Sequence, residues 1–280
     1  MLTCVGDSRY FPGKQPFDFA AGHRTENTMS SPWRQQILAS VRDRLPRPLR
    51  RSMSALRDEL HYWRKLRSMP RMLREVAPYT MVDEFNLAAL CQQVVNVVEQ
   101  GIPGDFVECG VWRGGCSILI AKVLAEIGAT DRKVWLVDSF EGLPPPTSID
   151  GPTAISYAQE TNNSRYFDNC KAEIFDVKYA AEKLAVSSQL RYLKGWFENS
   201  LPAGRAQIGP IALLRIDADW YTSVMTCLDN LYDQVSPGGI VILDDYYTWD
   251  GCSIATHEFL AKRKLAHRLE RHGCAFFRKA

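Results

Sequence analysis

The rhythm of apolar positions changes along the chain. Residues 1–30 are rich in Gly, Pro, Asn and Ser and show no period, which is the composition of a disordered start. Met29 opens a more regular stretch and competes with Met1 as the translation start. From Trp33 apolar residues recur every four positions at Ile37, Val41 and Leu45, until Pro46 and Pro48 break the run. Leu49, Met53, Leu56, Leu60 and Trp63 then alternate four and three apart, a short helical stripe. From Thr80 the grammar becomes β/α. Thr80-x-x-Asp83 resembles a capping box, and the helix it opens runs to about Glu99. Strands are predicted at 105–109, 133–137, 190–194, 211–216 and 240–243, with helices at 114–127, 170–185, 223–235 and 252–264. The segment 142–152 reads as a Pro-rich loop, long enough to be a lid, and 266–271 with 274–279 as an antiparallel hairpin around Gly273. Strands alternating with helices imply an α/β fold, a mostly parallel sheet covered by helices on both faces.

Charge adds a boundary. Of the 34 Lys and Arg and 32 Asp and Glu in 280 residues, residues 1–78 hold 15 basic and 7 acidic, a net of +8, so residues 79–280 carry the balancing −6. This step places a basic helical arm at 1–78 and a second domain at 79–280. Covering its apolar stripe calls for the arm's own domain or a second copy of the chain, so a homo-oligomer is expected. Contact with an anionic membrane surface is the second reading. No base-reading motif accompanies the charge, which argues against nucleic acid. Eight cysteines without a CxxC pair read as reduced thiols, and with no signal-peptide pattern the expected location is cytoplasmic.

In an open α/β sheet, ligands bind beyond the carboxyl ends of the strands. Four of these predicted ends carry acids: Glu108, Asp138, Asp217 with Asp219, and Asp244 with Asp245. The turn Glu108-Cys109-Gly110-Val111-Trp112-Arg113-Gly114-Gly115 lets backbone N–H groups approach a ligand at a helix N-terminus. Asp138, 30 residues on, suits two ribose hydroxyls, hence an adenosine cofactor. The glycine spacing departs from the dinucleotide fingerprint, which favours S-adenosylmethionine over NAD. Asp217, Asp219, Asp244 and Asp245 crowd like charges, costly unless a cation neutralises them or one takes a proton. An oxygen-only set suits a hard ion, Mg²⁺ or Ca²⁺. Trp196 and Phe197 are candidates to line an acceptor pocket, and His257 reads as a surface histidine.

FVECGVWRGG, VWLVDSFEGLP, RYLKGWFENSLP, LLRIDAD and GGIVILDDYYTW together resemble the macrocin O-methyltransferase family, over about 79–264. The resemblance implies a Rossmann-like class I methyltransferase fold with a seven-stranded sheet and a reversed last hairpin. It also implies S-adenosylmethionine and Mg²⁺ as cofactors. The activity implied is O-methylation of a sugar or glycosylated natural product, a glycoside or glycan acceptor, as in antibiotic biosynthesis. By the family's pattern Asp217, Asp244 and Asp245 match the metal ligands and Asp219 the base. Cofactor contacts are implied at Thr80, Met81, Glu108, Cys109, Gly110, Val111, Gly114, Ser117, Asp138, Ser139, Phe140 and Asp217. A metal-dependent methyltransferase for a catechol-like phenol fits the same acids, and a catalytically dead binding or scaffold protein is the rival of another class.

Overall fold

The computed structural model describes residues 66–161 and 167–280. The stripes at 33–63, Met29 and most of the basic arm lie outside the described residues, as do the self-association and membrane contact expected of that arm.

The chain builds one seven-stranded sheet: β1 (Asp105–Cys109), β2 (Val134–Asp138), β3 (Leu190–Lys194), β4 (Ile211–Ile216), β5 (Val235–Leu243), β6 (Glu270–His272) and β7 (Cys274–Arg278). Its spatial order is β3-β2-β1-β4-β5-β7-β6. The first five strands in this order run parallel, and β7 returns antiparallel between β5 and β6. The strand order reverses between β1 and β4, which opens a crevice at their carboxyl ends.

Helices cover both faces, as expected. On one face lie α1 (Met69–Val76), α2 (Glu84–Glu99), α3 (Gly115–Glu126) and α5 (Ile174–Lys183), whose buried residues join Phe106, Leu136, Leu213 and Ile242 in one core. On the other lie α6 (Phe197–Gly204), α7 (Tyr221–Leu231) and α8 (Asp250–Lys262), which pack on Val107, Val137, Leu214 and Val241. Between α3 and α5 in the chain comes α4 (Gly151–Gln159). The split of each strand between two cores follows from the period of two.

Several boundaries differ from those the sequence predicts. Helix α2 starts at Glu84, because Asp83 rather than Thr80 is the cap: its side chain accepts from the Asn86 N–H at 2.9 Å. Thr80 instead makes a short turn of its own, with Oγ1 accepting from Val82 N–H at 3.1 Å. Strand β5 begins at Val235, five residues early, because Pro237-Gly238-Gly239 forms a bulge within it, with Gly238 at φ +79°. The segment read as a loop over 142–152 closes with a turn at Ser148–Asp150 and enters α4. Residues 66–76, assigned to the arm by the charge step, bury Leu66, Met69, Met72, Leu73 and Val76 in the same core as α2 and α3. Among the described residues, no helix is long and apolar enough to cross a membrane.

Candidate functional site

The crevice is shaped first by the β1–α3 turn. Gly110 sits at φ +83°, and a Cβ there would collide with the Asp217 carbonyl, so only glycine lets the β1 and β4 ends close on each other. Asp217 N–H donates to Cys109 O at 2.8 Å and Gly110 N–H to Val137 O at 3.0 Å, which extends the sheet ladder into the turn. Gly114, at φ +87°, caps α3. Gly115 has no room for a side chain either, because Tyr79 and Thr80 lie against it. That contact sets the 79–82 segment over the α3 N-terminus as one wall of the site.

These ends enclose a cavity of about 360 Å³. Thr80, Met81, Glu108, Gly110, Val111, Asp138 and Asp217 line it, as do Asp219, Asp244 and Asp245. The remaining proposed cofactor contacts do other work. Cys109 and Phe140 are buried in the two cores, Ser117 donates its hydroxyl to Glu108, and Gly114 turns the backbone against Val177. Ser139 lines a smaller adjoining space of about 40 Å³ with Asp138, Trp196 and Phe197. The aromatic pair therefore lies beside the end of β2 and does not line the main cavity beside Asp219. His257 bonds the Tyr246 hydroxyl at 2.8 Å, outside the cavity.

Asp138 is half-buried and braces the Gly-rich turn. It accepts from Val111 N–H at 2.6 Å, Trp112 N–H at 3.3 Å and Phe140 N–H at 2.6 Å. Burial raises its pKa, and these backbone donors oppose the rise.

The acids rest on a cation that the sequence reading passed over. Arg215 is 2% exposed, on β4 opposite Glu108 in the β1–β4 register. Its Nη1 meets Glu108 Oε1 at 2.6 Å and Asp217 Oδ2 at 2.7 Å, and its Nη2 meets Asp244 Oδ1 at 2.6 Å. One guanidinium thus holds acids from three strand ends. Even so, the cluster holds more carboxylates than cations. Burial pushes Glu108 up to about 7, against the pull of Arg215. Burial likewise raises Asp217 to about 6 and Asp219 to about 8, and it raises Asp245. Asp219 and Asp245 also feel their acidic neighbours directly.

Asp217, Asp244 and Asp245 each offer one ligand atom, and these atoms all lie within 4.8 Å of one another. Each carboxylate has one oxygen engaged by the protein. Asp217 Oδ2 and Asp244 Oδ1 face Arg215, and Asp245 Oδ2 accepts from the Asp219 N–H at 3.1 Å. The converging carboxylates fit a hard divalent cation with its outer partners in place. Asp219 stands apart. It adopts φ +54°, uncommon for a non-glycine residue, and its Oδ1 accepts from Trp249 Nε1 at 2.8 Å. Trp249 belongs to an aromatic triad with Trp220 and Tyr157, ring centroids 5.1–6.3 Å apart, and Trp220 Nε1 donates to Pro144 O at 2.8 Å. Asp150 is buried beside it, accepting from Tyr221 N–H at 2.6 Å and Thr147 N–H at 2.7 Å. The expected lid is therefore pinned to α7.

The model of the macrocin-O-methyltransferase (TylF) family matches residues 31–279. A Streptomyces olivaceus protein described as 8-demethyl-8-(2,3-dimethoxy-alpha-L-rhamnosyl)-tetracenomycin-C 4'-O-methyltransferase is 38% identical over 194 residues, 68% of this chain and 72% of that one. Demethyldecarbamoylnovobiocin O-methyltransferase of Streptomyces niveus is 37% identical over 205 residues, 68% of this chain and 71% of its own. Among solved structures, the O-methyltransferase NovP superposes with a TM-score of 0.65 at 33% identity, over 72% of this chain and 82% of NovP.

Proposed function

The chain belongs to the macrocin-O-methyltransferase family, and we propose that it moves a methyl group from S-adenosylmethionine to a hydroxyl of a sugar on a glycosylated natural product, with Mg²⁺ held by Asp217, Asp244 and Asp245. The observation that carries this reading is the convergence of three carboxylates, held from behind by Arg215 and the Asp219 N–H, beside a fourth that is not engaged by Arg215. The Streptomyces olivaceus relative is named for O-methylation of a rhamnosyl-tetracenomycin, which supports a sugar acceptor. A catechol-like acceptor would use the same acids and is separated by the experiment below.

S-Adenosylmethionine would supply a methyl already activated by its sulfonium. Mg²⁺ would supply a Lewis acid that lowers the pKa of an adjacent hydroxyl. The chain's residues do the rest. The Gly110 turn and Asp138 form the wall against which an adenosine would lie, and Trp196 and Phe197 border the adjoining space. Asp217, Asp244 and Asp245, held from behind by Arg215 and the Asp219 N–H, present fixed oxygens. Trp249 fixes Asp219 through Oδ1, which leaves Oδ2 as the atom to take the acceptor's proton. The anchored 142–151 segment and the 79–82 segment limit water around these groups. Alignment of acceptor and donor supplies the larger part of the rate, with effective molarities up to ~10⁵–10⁸ M in favourable intramolecular cases.

The test is mass spectrometry of a panel of glycosides and catechols incubated with the protein, S-adenosylmethionine and Mg²⁺, with and without EDTA. A gain of one methylene on a glycoside, abolished by EDTA, is the expected result. Methylation of catechols alone would replace the acceptor class, and full activity in EDTA would remove the metal.

A further inference from the structure

We infer that an open groove at the acidic end of the cavity binds a planar aromatic group carried by the acceptor sugar. This rests on the sugar-methylation reading above and adds the chemistry of the acceptor's other half. The groove, about 470 Å³ of open space, runs between the first turn of α2 and the β6–β7 turn, with Asp83, Phe85 and Asn86 on one side and Arg271 and His272 on the other. Asp83 and Asn86 line both spaces, so the groove adjoins the main cavity. Met81 and Thr248 line the cavity near this junction.

The walls are fixed before any ligand arrives. Gly273 turns the hairpin at φ +74° so close to α2 that a Cβ would strike Asn86. His272 Nε2 and Gln92 Oε1, 2.6 Å apart, tie the hairpin to the same helix. A preformed groove loses little entropy on binding.

Its chemistry is that of a stacking platform. Phe85 is 69% exposed at a helix start, where water contact with a ring is unfavourable. Tyr247 is 52% exposed, and the Arg271 guanidinium lies over its ring at 4.5 Å from the centroid. A guanidinium paired with one ring can also take a second π-system on its free side. Tyr247 stands on the turn Asp244–Tyr247, which also carries Asp244 and Asp245. A sugar placed at the acids would therefore direct its aglycone toward this surface. The Asp83 carboxylate in the same groove disfavours a second anion, so an uncharged ring fits better than a nucleoside diphosphate.

Calorimetric titration distinguishes the two claims. The protein, saturated with S-adenosylhomocysteine and Mg²⁺, is titrated with p-nitrophenyl α-L-rhamnoside and with methyl α-L-rhamnoside. The aryl glycoside is expected to bind about tenfold tighter, the scale of one ring or cation–ring contact. In Phe85→Ala and Arg271→Ala the two glycosides should bind within about twofold of each other. Both positions are exposed, and an unchanged melting temperature verifies that the variants fold. Equal binding by the unmodified protein, no binding of either glycoside, or a preference that survives both substitutions would overturn the groove. Methyl transfer to methyl α-L-rhamnoside is assayed separately. No product alongside an intact aryl preference defeats the sugar-methylation reading and leaves the groove standing. Product without any aryl preference defeats the groove alone.

Discussion

Removing the Arg215 guanidinium leaves Glu108, Asp217 and Asp244 facing one another without their shared cation. Breaking a buried ion pair from one side costs more than the pair contributes, because the remaining charges stay desolvated. Arg215→Met should destabilise the metal-free protein by about 3–5 kcal/mol in a urea titration. A loss below about 1 kcal/mol would mean that the carboxylates discard their charge by taking protons instead. A second residue prediction separates base from ligand. Asp219→Asn keeps the acceptor for Trp249 Nε1 but removes the proton acceptor, and should lower turnover by ~10²–10⁴-fold while calorimetry finds Mg²⁺ affinity little changed. Trp249 favours the ionised form of Asp219 by donating to it, so its loss makes the carboxylate harder to ionise. Trp249→Phe should therefore move the rising limb of the pH–kcat profile to higher pH. A shift to lower pH, or none, would remove Trp249 from the role of positioning Asp219. The string LLRIDADW offered Asp217 and Asp219 but not the role of Arg215. An arginine inside an apolar strand reads as a surface residue, and only the pairing of β1 with β4 reveals that it lies opposite Glu108.

At the scale of elements, β1, β3 and β4 have the predicted bounds; β4 is buried throughout as a parallel strand covered on both faces, whereas β3, at the sheet edge, carries Arg191 and Lys194 and is only partly buried. The strand-end acids were legible because each follows an apolar run at once. Elements with prolines were not. Helix α4 opens with Gly151-Pro152, and Pro152 sits in the first turn, where its missing N–H costs nothing. Helix α6 carries Pro202 within eight residues and depends on its packing through Leu201. Helix α1 was hidden by its arginines, although its apolar side lies fully in the core. The 142–151 segment is anchored through the Leu143 N–H to Asn169 O and through the side chains of Trp220 and Asp150, which no periodicity records. Asp150→Ala removes the acceptor for Tyr221 and Thr147, so hydrogen exchange should speed up across 143–151 and at the start of α7. The sheet amides should stay protected, since Asp150 accepts from Thr147 and Tyr221 and from no strand residue. Uniformly faster exchange would show that the segment supports the whole fold.

Across the whole molecule, a near-neutral chain concentrates unneutralised acid at one place, and this couples stability, pH and metal. Glu108 at about 7, Asp217 at about 6 and Asp219 at about 8 all lie above an unfolded carboxyl near ~4. Between those limits the folded chain holds protons that the unfolded chain has released. Stability therefore falls as pH rises through that window, opposite to an acid stabilised by a salt bridge. One proton held over two pH units corresponds to roughly 2.7 kcal/mol, or roughly 5–10 °C in melting temperature for a domain of this size. The metal-free protein should accordingly melt lower at pH 8 than at pH 6. A cation at Asp217, Asp244 and Asp245 requires the ionised forms, so Mg²⁺ binding should expel protons and tighten as pH rises. The rise in melting temperature on adding Mg²⁺ should then be larger at pH 8 than at pH 6. Titrations in two buffers of different ionisation enthalpy should find proton release on binding. A flat melting profile, with equal stabilisation by Mg²⁺ at both pH values, would mean that the acids are already ionised in the metal-free fold, with Arg215 sufficient to hold them so.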